Sequence, residues 1–206
     1  MARDQPDVME SLGFSRFRVA GHDRGARVVH RLALDHPDRI ERAAVLDILP
    51  TLTLYDHVDA TFASAYWEWF FFTQDGDFPE RLIAADTEAF LRYELGHLVG
   101  GGVISDDVWK AYLRAIASPG AIHGMCEDYR AGATIDLDHD RADLDRRIEC
   151  PLLVVWGSEN NVWNRFDMLA VWQERARSVS GEGVACGHYL PEEEPEATAK
   201  LLNEFF

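Results

Sequence analysis

Asp23 is the residue of this sequence whose surroundings point most clearly to covalent chemistry. It lies at the centre of the pentapeptide Gly-His-Asp-Arg-Gly, residues 21–25, directly after the apolar run at 17–20. The pattern small-x-nucleophile-x-small is typical of a sharp turn between a strand and a helix, where the backbone approaches itself closely and only small residues fit at the flanks. A carboxylate in that place can attack saturated carbon and form an ester that water later opens. Taken alone, the pattern also fits a tight turn without a catalytic role.

The elements that would hold such a nucleophile follow from the apolar pattern. Buried strands are predicted for the runs 17–20, 43–49 and 151–156, with a short last strand near 183–185, and helices are predicted at 27–34, 166–176 and from about 195 to 206. Strands that alternate with helices in this way predict a mostly parallel, doubly wound α/β sheet. Ligands bind such sheets at the carboxyl ends of the strands, so side chains that follow the strands are expected to lie together.

Three chemically suited side chains are expected at that edge of the sheet. Asp23 follows the first strand, Asp47 lies at the end of the second, and His188 follows the last. A carboxylate, an acid and a histidine in this chain order are the groups needed to form an ester and then hydrolyse it. Many proteins with these three groups carry the acid after the strand that corresponds to 151–156. At that place this chain has the segment Glu-Asn-Asn at 159–161. Glu159 therefore stays an alternative acid, and we favour Asp47.

Residues 55–135 differ in character from both flanks of the chain. They show aromatic-rich helical patterns and little strand signal. We therefore predict that residues 1–54 and 136–206 form the α/β core, and that residues 55–135 form a helical cap inserted in it.

Charge and composition exclude several classes of partner. The 206 residues carry a formal net charge of −16, which disfavours binding to nucleic acid or to anionic membranes. The three cysteines are isolated, the opening residues lack the pattern of a signal peptide, and no apolar run reaches about 18 residues. We expect a cytoplasmic protein without a membrane-spanning segment.

The acidic segment around residues 136–140 superficially suggests a calcium loop. Aspartates occur at every second position, Asp136, Asp138 and Asp140, as the first ligands of such a loop do. The sixth position, however, is Arg141, where the loop requires glycine. We therefore predict no metal site and no cofactor.

Four segments of the chain together carry a family resemblance. Residues 21–27, 45–51, 125–133 and 187–193 resemble, in this order, the motifs of the haloacetate dehalogenases of the α/β-hydrolase superfamily, and among these the fluoroacetate-cleaving enzymes. The resemblance runs through essentially the whole chain, and four linked motifs are far more specific than one. It implies an α/β-hydrolase fold with a helical cap and cofactor-independent hydrolysis of the carbon–halogen bond of a small 2-haloacid.

The resemblance also implies roles for individual residues. Asp23 would attack the halogen-bearing carbon, and His188, oriented by Asp47, would activate water against the resulting ester. Arg24 and Arg27 would hold the substrate carboxylate, because the fork of a guanidinium can pair with both of its oxygens.

The halide would be bound in the cap. The resemblance assigns Trp69 and Tyr129 as donors to the departing halide, and indole N–H and phenol O–H groups can both serve in this way. At the position before Trp69, the fluoroacetate enzymes usually carry histidine, whereas this chain has Glu68. A carboxylate near a departing anion is repulsive, so chloride or bromide is expected to leave more easily than fluoride.

A second departure from the family concerns the start of the chain. Relatives carry further residues before the first helix, which supply the first strands of the sheet and one oxyanion-hole N–H. We therefore expect the N-terminal part of the core to be missing and the strand at 17–20 to be an exposed edge, which favours association such as a homodimer.

Two alternatives stay open on the sequence alone. The first is an epoxide hydrolase, which uses the same carboxylate and histidine chemistry with two cap tyrosines, for which Tyr66, Tyr93 and Tyr129 are candidates. The paired arginines favour an anionic substrate over an epoxide. The second is a truncated, inactive fragment.

Overall fold

The computed structural model describes residues 1–160 and 162–206 of the chain. These residues form two compact units, of which one comprises Met1–His57 with Asp140–Phe206 and the other Val58–His139. The cap is predicted for residues 55–135, and the second unit comprises residues 58–139, so the two ranges differ by three residues at one end and four at the other.

The first unit is built on a sheet of four parallel strands. The strands are β1 (Phe17–His22), β2 (Ile40–Leu46), β3 (Leu152–Gly157) and β4 (Val179–Val184), and they lie side by side in chain order. The predicted fold class, a parallel α/β sheet, is confirmed. Within the described residues β1 is an edge strand, as expected.

Two strand boundaries differ from the prediction. β2 begins and ends three residues earlier than the predicted strand at 43–49, and β4 begins at Val179 rather than near residue 183. β4 is the other edge of the sheet and is largely exposed or half-buried, so its residues need not be apolar. The sequence signal for this strand was therefore confined to its buried end at Val184.

The helices surround the sheet in the first unit and make up the second. In chain order they are α1 (Asp4–Ser11), α2 (Arg24–Asp35), α3 (Thr51–Asp56), α4 (Ala60–Ala65), α5 (Glu68–Phe71), α6 (Phe78–Ala85), α7 (Thr87–Gly100), α8 (Asp106–Ile116), α9 (Ala121–Gly132), α10 (Ile135–Ala142), α11 (Met168–Gln173), α12 (Leu190–Glu193) and α13 (Pro195–Phe205), with a 3₁₀ helix at Trp163–Arg165. Helices α4 to α9 lie in the second unit, where the structure describes no strand. None of the described helices is long and apolar enough to cross a membrane.

Apolar packing covers both faces of the sheet. On one face, Leu46 and Val155 pack in a cluster with Leu190, against which Leu201 and Phe205 of α13 also lie. Successive side chains of a strand point to opposite faces, so Val45 and Val154 belong to the other face, and both are completely buried. The two central strands, β2 and β3, are thus held firmly, and each ends next to the residues of interest.

His30 is a titratable group inside this core. It lies in α2, is buried, and packs edge-on against Trp172 with ring centroids 5.2 Å apart. Its Nε2 has no hydrogen-bond partner among the described residues. Burial, to which the charge of Arg31 adds, lowers the pKa of His30 from its ordinary value of 6.5 to about 3.

This burial predicts a pH dependence of stability. An unfolded chain protonates His30 near pH 6.5 and the folded chain only near 3, so stability is lost as the pH falls through this window. Replacing His30 with Phe keeps an aromatic ring against Trp172 and removes this titration. Thermal unfolding measured between pH 7 and pH 4.5 should depend less on pH in the variant than in the wild type. The same substitution at exposed His139 is the control and should leave the slope unchanged; an unchanged slope in the His30 variant would contradict the prediction.

Candidate active site

Asp23 lies on a strained turn between β1 and α2. Its backbone has φ 49° and ψ −121°, a conformation that side-chain-bearing residues rarely adopt. A Cβ at Gly21 would collide with the backbone carbonyl of Gly25, so the turn requires glycine at position 21. A Cβ at Gly25 would meet open space. The expectation that both positions flanking the turn accept only small residues is therefore wrong for position 25. The turn lifts Asp23 to the carboxyl end of the sheet.

Asp47 follows β2 and is the acid that contacts the histidine. Its side chain is 0% exposed, and its backbone also has a positive φ, 54°. Oδ2 accepts a hydrogen bond from His188 Nδ1 at 2.6 Å and one from Trp163 Nε1 at 2.7 Å, while Oδ1 accepts the Gly157 N–H at 2.7 Å. Three N–H donors thus compensate a buried carboxylate that has lost its water.

The alternative acid, Glu159, does not take this position. It follows β3, and its backbone N–H donates to the Cys186 carbonyl at 3.1 Å. In the described part of the chain, Asp47 is the carboxylate hydrogen-bonded to His188 through Nδ1. Of the segment 159–161 that carried the alternative, residue 161 lies outside the described residues.

His188 bridges two carboxylates from different strands. It lies in the loop between β4 and α12, with Nδ1 on Asp47 and with Nε2 3.8 Å from Oδ2 of Asp23. The three residues predicted as the catalytic group are therefore brought together within the first unit. The contacts run from the Asp23 carboxylate through the His188 imidazole to the buried Asp47 carboxylate.

Sequence analysis missed the groups that hold the loop around His188. Glu193 accepts the N–H groups of both neighbours of the histidine, Gly187 and Tyr189, each at 2.8 Å. The Nε2–H of His22 donates to the carbonyl of His188 at 2.7 Å. These contacts fix the backbone of the loop on both sides of the imidazole. The repeated acidic residues at 192–194 were visible in the sequence, but nothing there distinguished Glu193 from its neighbours.

The protonation states of the site follow from these contacts. Burial opposes a charge on His188, but the hydrogen bond to Asp47 and the negative charges of Asp23 and Asp47 outweigh it and raise the pKa of the imidazole to about 10. Burial likewise acts to raise the pKa of Asp23, yet the ion pair with His188, helped by the charge of Arg27, lowers it well below its usual range. The pKa of His22 is lowered by burial and by the neighbouring charge of His188. Asp23 and His188 thus form an ion pair.

The two predicted substrate arginines lie on the first turn of α2. Arg24 begins the helix and Arg27 follows one turn later, with both side chains partly exposed. Nη1 of Arg27 donates to the Leu49 carbonyl at 3.1 Å and to Thr51 Oγ1 at 2.9 Å, which ties α2 to the segment between β2 and α3. The charge of Arg27 also contributes to the lowered pKa of Asp23. Arg27 therefore has a structural role that the sequence did not reveal.

The two predicted halide donors meet in the second unit. Trp69 of α5 and Tyr129 of α9 are both buried, and their rings contact edge to face with centroids 5.8 Å apart. Phe62 and Phe72 pack around the same pair. The aromatic pattern of the cap thus forms one cluster that contains both residues.

One group in the second unit has ligand atoms close enough to hold a cation. Glu80, His123 and Glu127 approach one another within 4.8 Å. Arg130 already pairs with Glu80 at 2.6 Å and with Glu127 at 2.7 Å, so a positive charge occupies the cluster. This arrangement is an ion-pair network rather than a metal centre.

Comparisons with known proteins agree with this geometry. Residues 1–195 match the family model of the alpha/beta hydrolase fold. The chain is 43% identical over 210 residues to a fluoroacetate dehalogenase of Burkholderia sp, which covers all of this chain and 68% of that protein. It is 30% identical to the soluble epoxide hydrolase of Corynebacterium sp., covering all of this chain and 72% of that protein.

A solved structure gives the same result. A protein of Nostoc sp PCC 7120, provisionally classified as an alpha/beta hydrolase, superimposes with a TM-score of 0.96 at 48% identity. The match covers 100% of this chain and 71% of the Nostoc protein. These comparisons confirm the predicted family resemblance.

The contact between the histidine and the two carboxylates predicts a measurable coupling. Replacing Asp23 with Asn removes the charge 3.8 Å from Nε2, so the pKa of His188 should fall below the wild-type value of about 10. NMR titration of ¹⁵N-labelled histidine measures this shift. Asp38, an exposed aspartate, gives the control variant Asp38→Asn, which should titrate like the wild type. An Asp23→Asn variant with an unchanged His188 titration would show that the two groups are not coupled.

Proposed function

Because this chain belongs to the haloacetate dehalogenase family of the α/β-hydrolase superfamily, we propose that it hydrolyses the carbon–halogen bond of a small 2-haloacid. The observation that carries the proposal is the ordered contact of a carboxylate nucleophile, Asp23, with His188 and the buried Asp47. A hydroxyl nucleophile in this place would favour acyl transfer, whereas a carboxylate suits attack on saturated carbon.

The first step is displacement of halide by Asp23. A carboxylate oxygen bonds to the carbon that bears the halogen, and the halide leaves with the electron pair of the broken bond. The lowered pKa of Asp23 supports this step, because the carboxylate stays ionised and available. The product is an ester between Asp23 and the hydroxyacid carbon.

The second step is attack of water on the carbonyl carbon of the ester. His188 accepts one proton of the water, and the tetrahedral intermediate breaks the bond between the Asp23 carbonyl carbon and the hydroxyacid oxygen. The hydroxyacid leaves with the second proton of the water on that oxygen, and Asp23 is regenerated as a carboxylate. Esterification of Asp23 removes one of the two negative charges that raise the pKa of His188, so the imidazole can lose its proton to solvent and act as a base. Formation of the ester thereby turns an ion-pair partner into a general base.

Arg24 and Arg27 are proposed to bind the substrate carboxylate. Both lie within four residues of the nucleophile, and guanidinium groups favour an anionic substrate over a neutral one. The bonds of Arg27 to Leu49 and Thr51 hold its guanidinium in place before substrate arrives. Trp69 and Tyr129 are proposed, on the family resemblance, as donors to the departing halide.

A trapped intermediate tests the nucleophile, the histidine and the substrate class together. The variant His188→Ala should still form the ester with bromoacetate but hydrolyse it about 10²–10⁴-fold more slowly, because the general base is absent. Intact-mass analysis should then show one carboxymethyl group, located on Asp23 by peptide mapping. Asp23→Asn is the matched control and should give neither the adduct nor free halide.

The rates at which the wild type releases halide from bromo-, chloro- and fluoroacetate rank the three leaving groups. We expect bromoacetate and chloroacetate to be cleaved faster than fluoroacetate, because Glu68 replaces the histidine that fluoroacetate enzymes usually carry before the halide-binding tryptophan. Release of no halide from any of the three acids would contradict the proposal.

The alternative is an epoxide hydrolase, which the 30% identity to the Corynebacterium enzyme favours. It would require two cap tyrosines to protonate the epoxide oxygen. Of the candidates, Tyr93 is 73% exposed, which is unfavourable for a proton donor in a closed site, while Tyr66 and Tyr129 are less accessible. Turnover of styrene oxide in the absence of haloacid hydrolysis would favour this alternative.

A further inference from the structure

Trp163 makes a contact with Asp47 that neither the sequence patterns nor the family resemblance assigns. Its indole Nε1–H donates to Oδ2 of Asp47 at 2.7 Å, and this is the same oxygen that accepts the hydrogen bond of His188 at 2.6 Å. Trp163 is 2% exposed, so the indole can reach no bulk water. A buried tryptophan needs a partner for its N–H, and here that partner is a carboxylate.

The need for this donor changes during the proposed reaction. While His188 is protonated, its positive charge neutralises Asp47 directly. When His188 is neutral, Asp47 keeps its full charge at a completely buried position. Only the N–H groups around the carboxylate then compensate the charge, and charge-assisted hydrogen bonds of this kind are stronger than neutral ones.

We infer that Trp163 is a positioning residue for the hydrolytic step: its indole N–H stabilises the ionised Asp47 carboxylate during the interval in which His188 is neutral. The inference rests on the proposed roles of Asp47 and His188. Trp163 donates to Asp47 and acts on the histidine through this carboxylate.

Other titratable groups face the same pair and have to be considered. Asp23 lies 3.8 Å from His188, and the rings of His22 and Tyr189 lie 4.8 and 4.9 Å from that of the histidine. Cys186, two residues before the histidine, stays a neutral thiol because burial and nearby carboxylates raise its pKa to about 12. None of these groups donates a hydrogen bond to Asp47 among the described residues, so Trp163 has a distinct effect on that carboxylate.

The variant Trp163→Phe removes the donor and keeps an aromatic ring in the core. Loss of the donor destabilises the state with neutral His188 more than the state with protonated His188. The pKa of His188 should therefore rise by about one unit above its wild-type value, which leaves about tenfold less neutral base at lower pH. Halide release in the first turnover should be unchanged, while steady-state turnover at neutral pH should fall about tenfold and its pH profile should move to higher pH.

Trp172 provides a matched control within the same unit. It is completely buried, and its Nε1–H also donates a hydrogen bond, but to the backbone carbonyl of Ile48 at 3.1 Å. The variant Trp172→Phe loses comparable packing and one indole donor without changing the environment of the carboxylate. It should leave the His188 titration at its wild-type position. A His188 pKa that is unchanged or lowered in Trp163→Phe, or raised equally in both variants, would overturn the inference.

A measurement on the wild-type protein avoids dependence on the folding of a variant. In ¹⁵N–¹H spectra, the Nε1–H resonance of Trp163 should shift with pH at the same midpoint as His188, because the acceptor strength of Asp47 changes when the histidine titrates. The corresponding resonance of Trp172 should not shift at that midpoint. A Trp163 resonance insensitive to the His188 titration would contradict the inference. The His188 titration and the Trp163 resonance are both measured without substrate. If the Trp163 resonance follows the His188 titration but no haloacid is hydrolysed, the proposed function is refuted and the contact of Trp163 with Asp47 is not.

Discussion

The buried charge of Asp47 is the constraint around which the first unit is arranged. A carboxylate without access to water is strongly unfavourable unless hydrogen bonds and an opposite charge replace its solvation. The replacement comes from three separate parts of the chain: the end of β3 at Gly157, the 3₁₀ helix at Trp163 and the loop that carries His188. Each of these must be placed correctly for the buried carboxylate to keep its hydrogen-bond donors. A single buried group thus couples the positions of elements far apart in sequence.

Close backbone approaches allow those elements to converge. A Cβ at Gly157 would collide with the carbonyl oxygen of Gly187, so only glycine lets the end of β3 meet the histidine loop. Gly21 has the same function in the turn before Asp23. Both aspartates of the site have positive φ, and they are the only described residues other than glycine with this conformation. Strain is therefore concentrated at the two positions where side chains must leave the sheet edge, as is common at functional sites.

In the proposed mechanism, the charges of Asp23 and Asp47 give the site two successive states. With Asp23 ionised, two carboxylates hold the proton on His188; with Asp23 esterified, one of the two charges is removed. In the proposed mechanism, the histidine between the two carboxylates serves first as a counter-ion and later as a base. The surrounding loop contacts, with Glu193 on both flanking amides and His22 on the carbonyl, keep the imidazole in line for both states.

Much of this arrangement could be predicted from particular residues of the sequence. The apolar runs before Asp23 and Asp47 indicated buried parallel strands, and the strand-turn-helix pattern at 21–25 indicated the nucleophile turn, because both signals are local and periodic. The start of β4 was not predictable in this way, since an edge strand exposed to solvent has no apolar run to mark it. Trp163 and Glu193 gave no signal either, because any buried tryptophan or surface glutamate has the same local pattern.

The sequence by itself predicted the fold class, which the structure confirms, and the three residues Asp23, Asp47 and His188, whose side chains the structure brings into contact. Residue type, chain order and hydrophobic periodicity are sufficient for these. Only the tertiary structure showed that Asp47 rather than Glu159 is hydrogen-bonded to His188, tied Arg27 to Leu49 and Thr51, and placed the donor of Trp163 and the acceptor of Glu193. Such contacts join residues separated by up to 141 positions, as in the bond between Asp47 and His188. Their existence depends on which polar groups become buried together, and burial is a property of the folded chain.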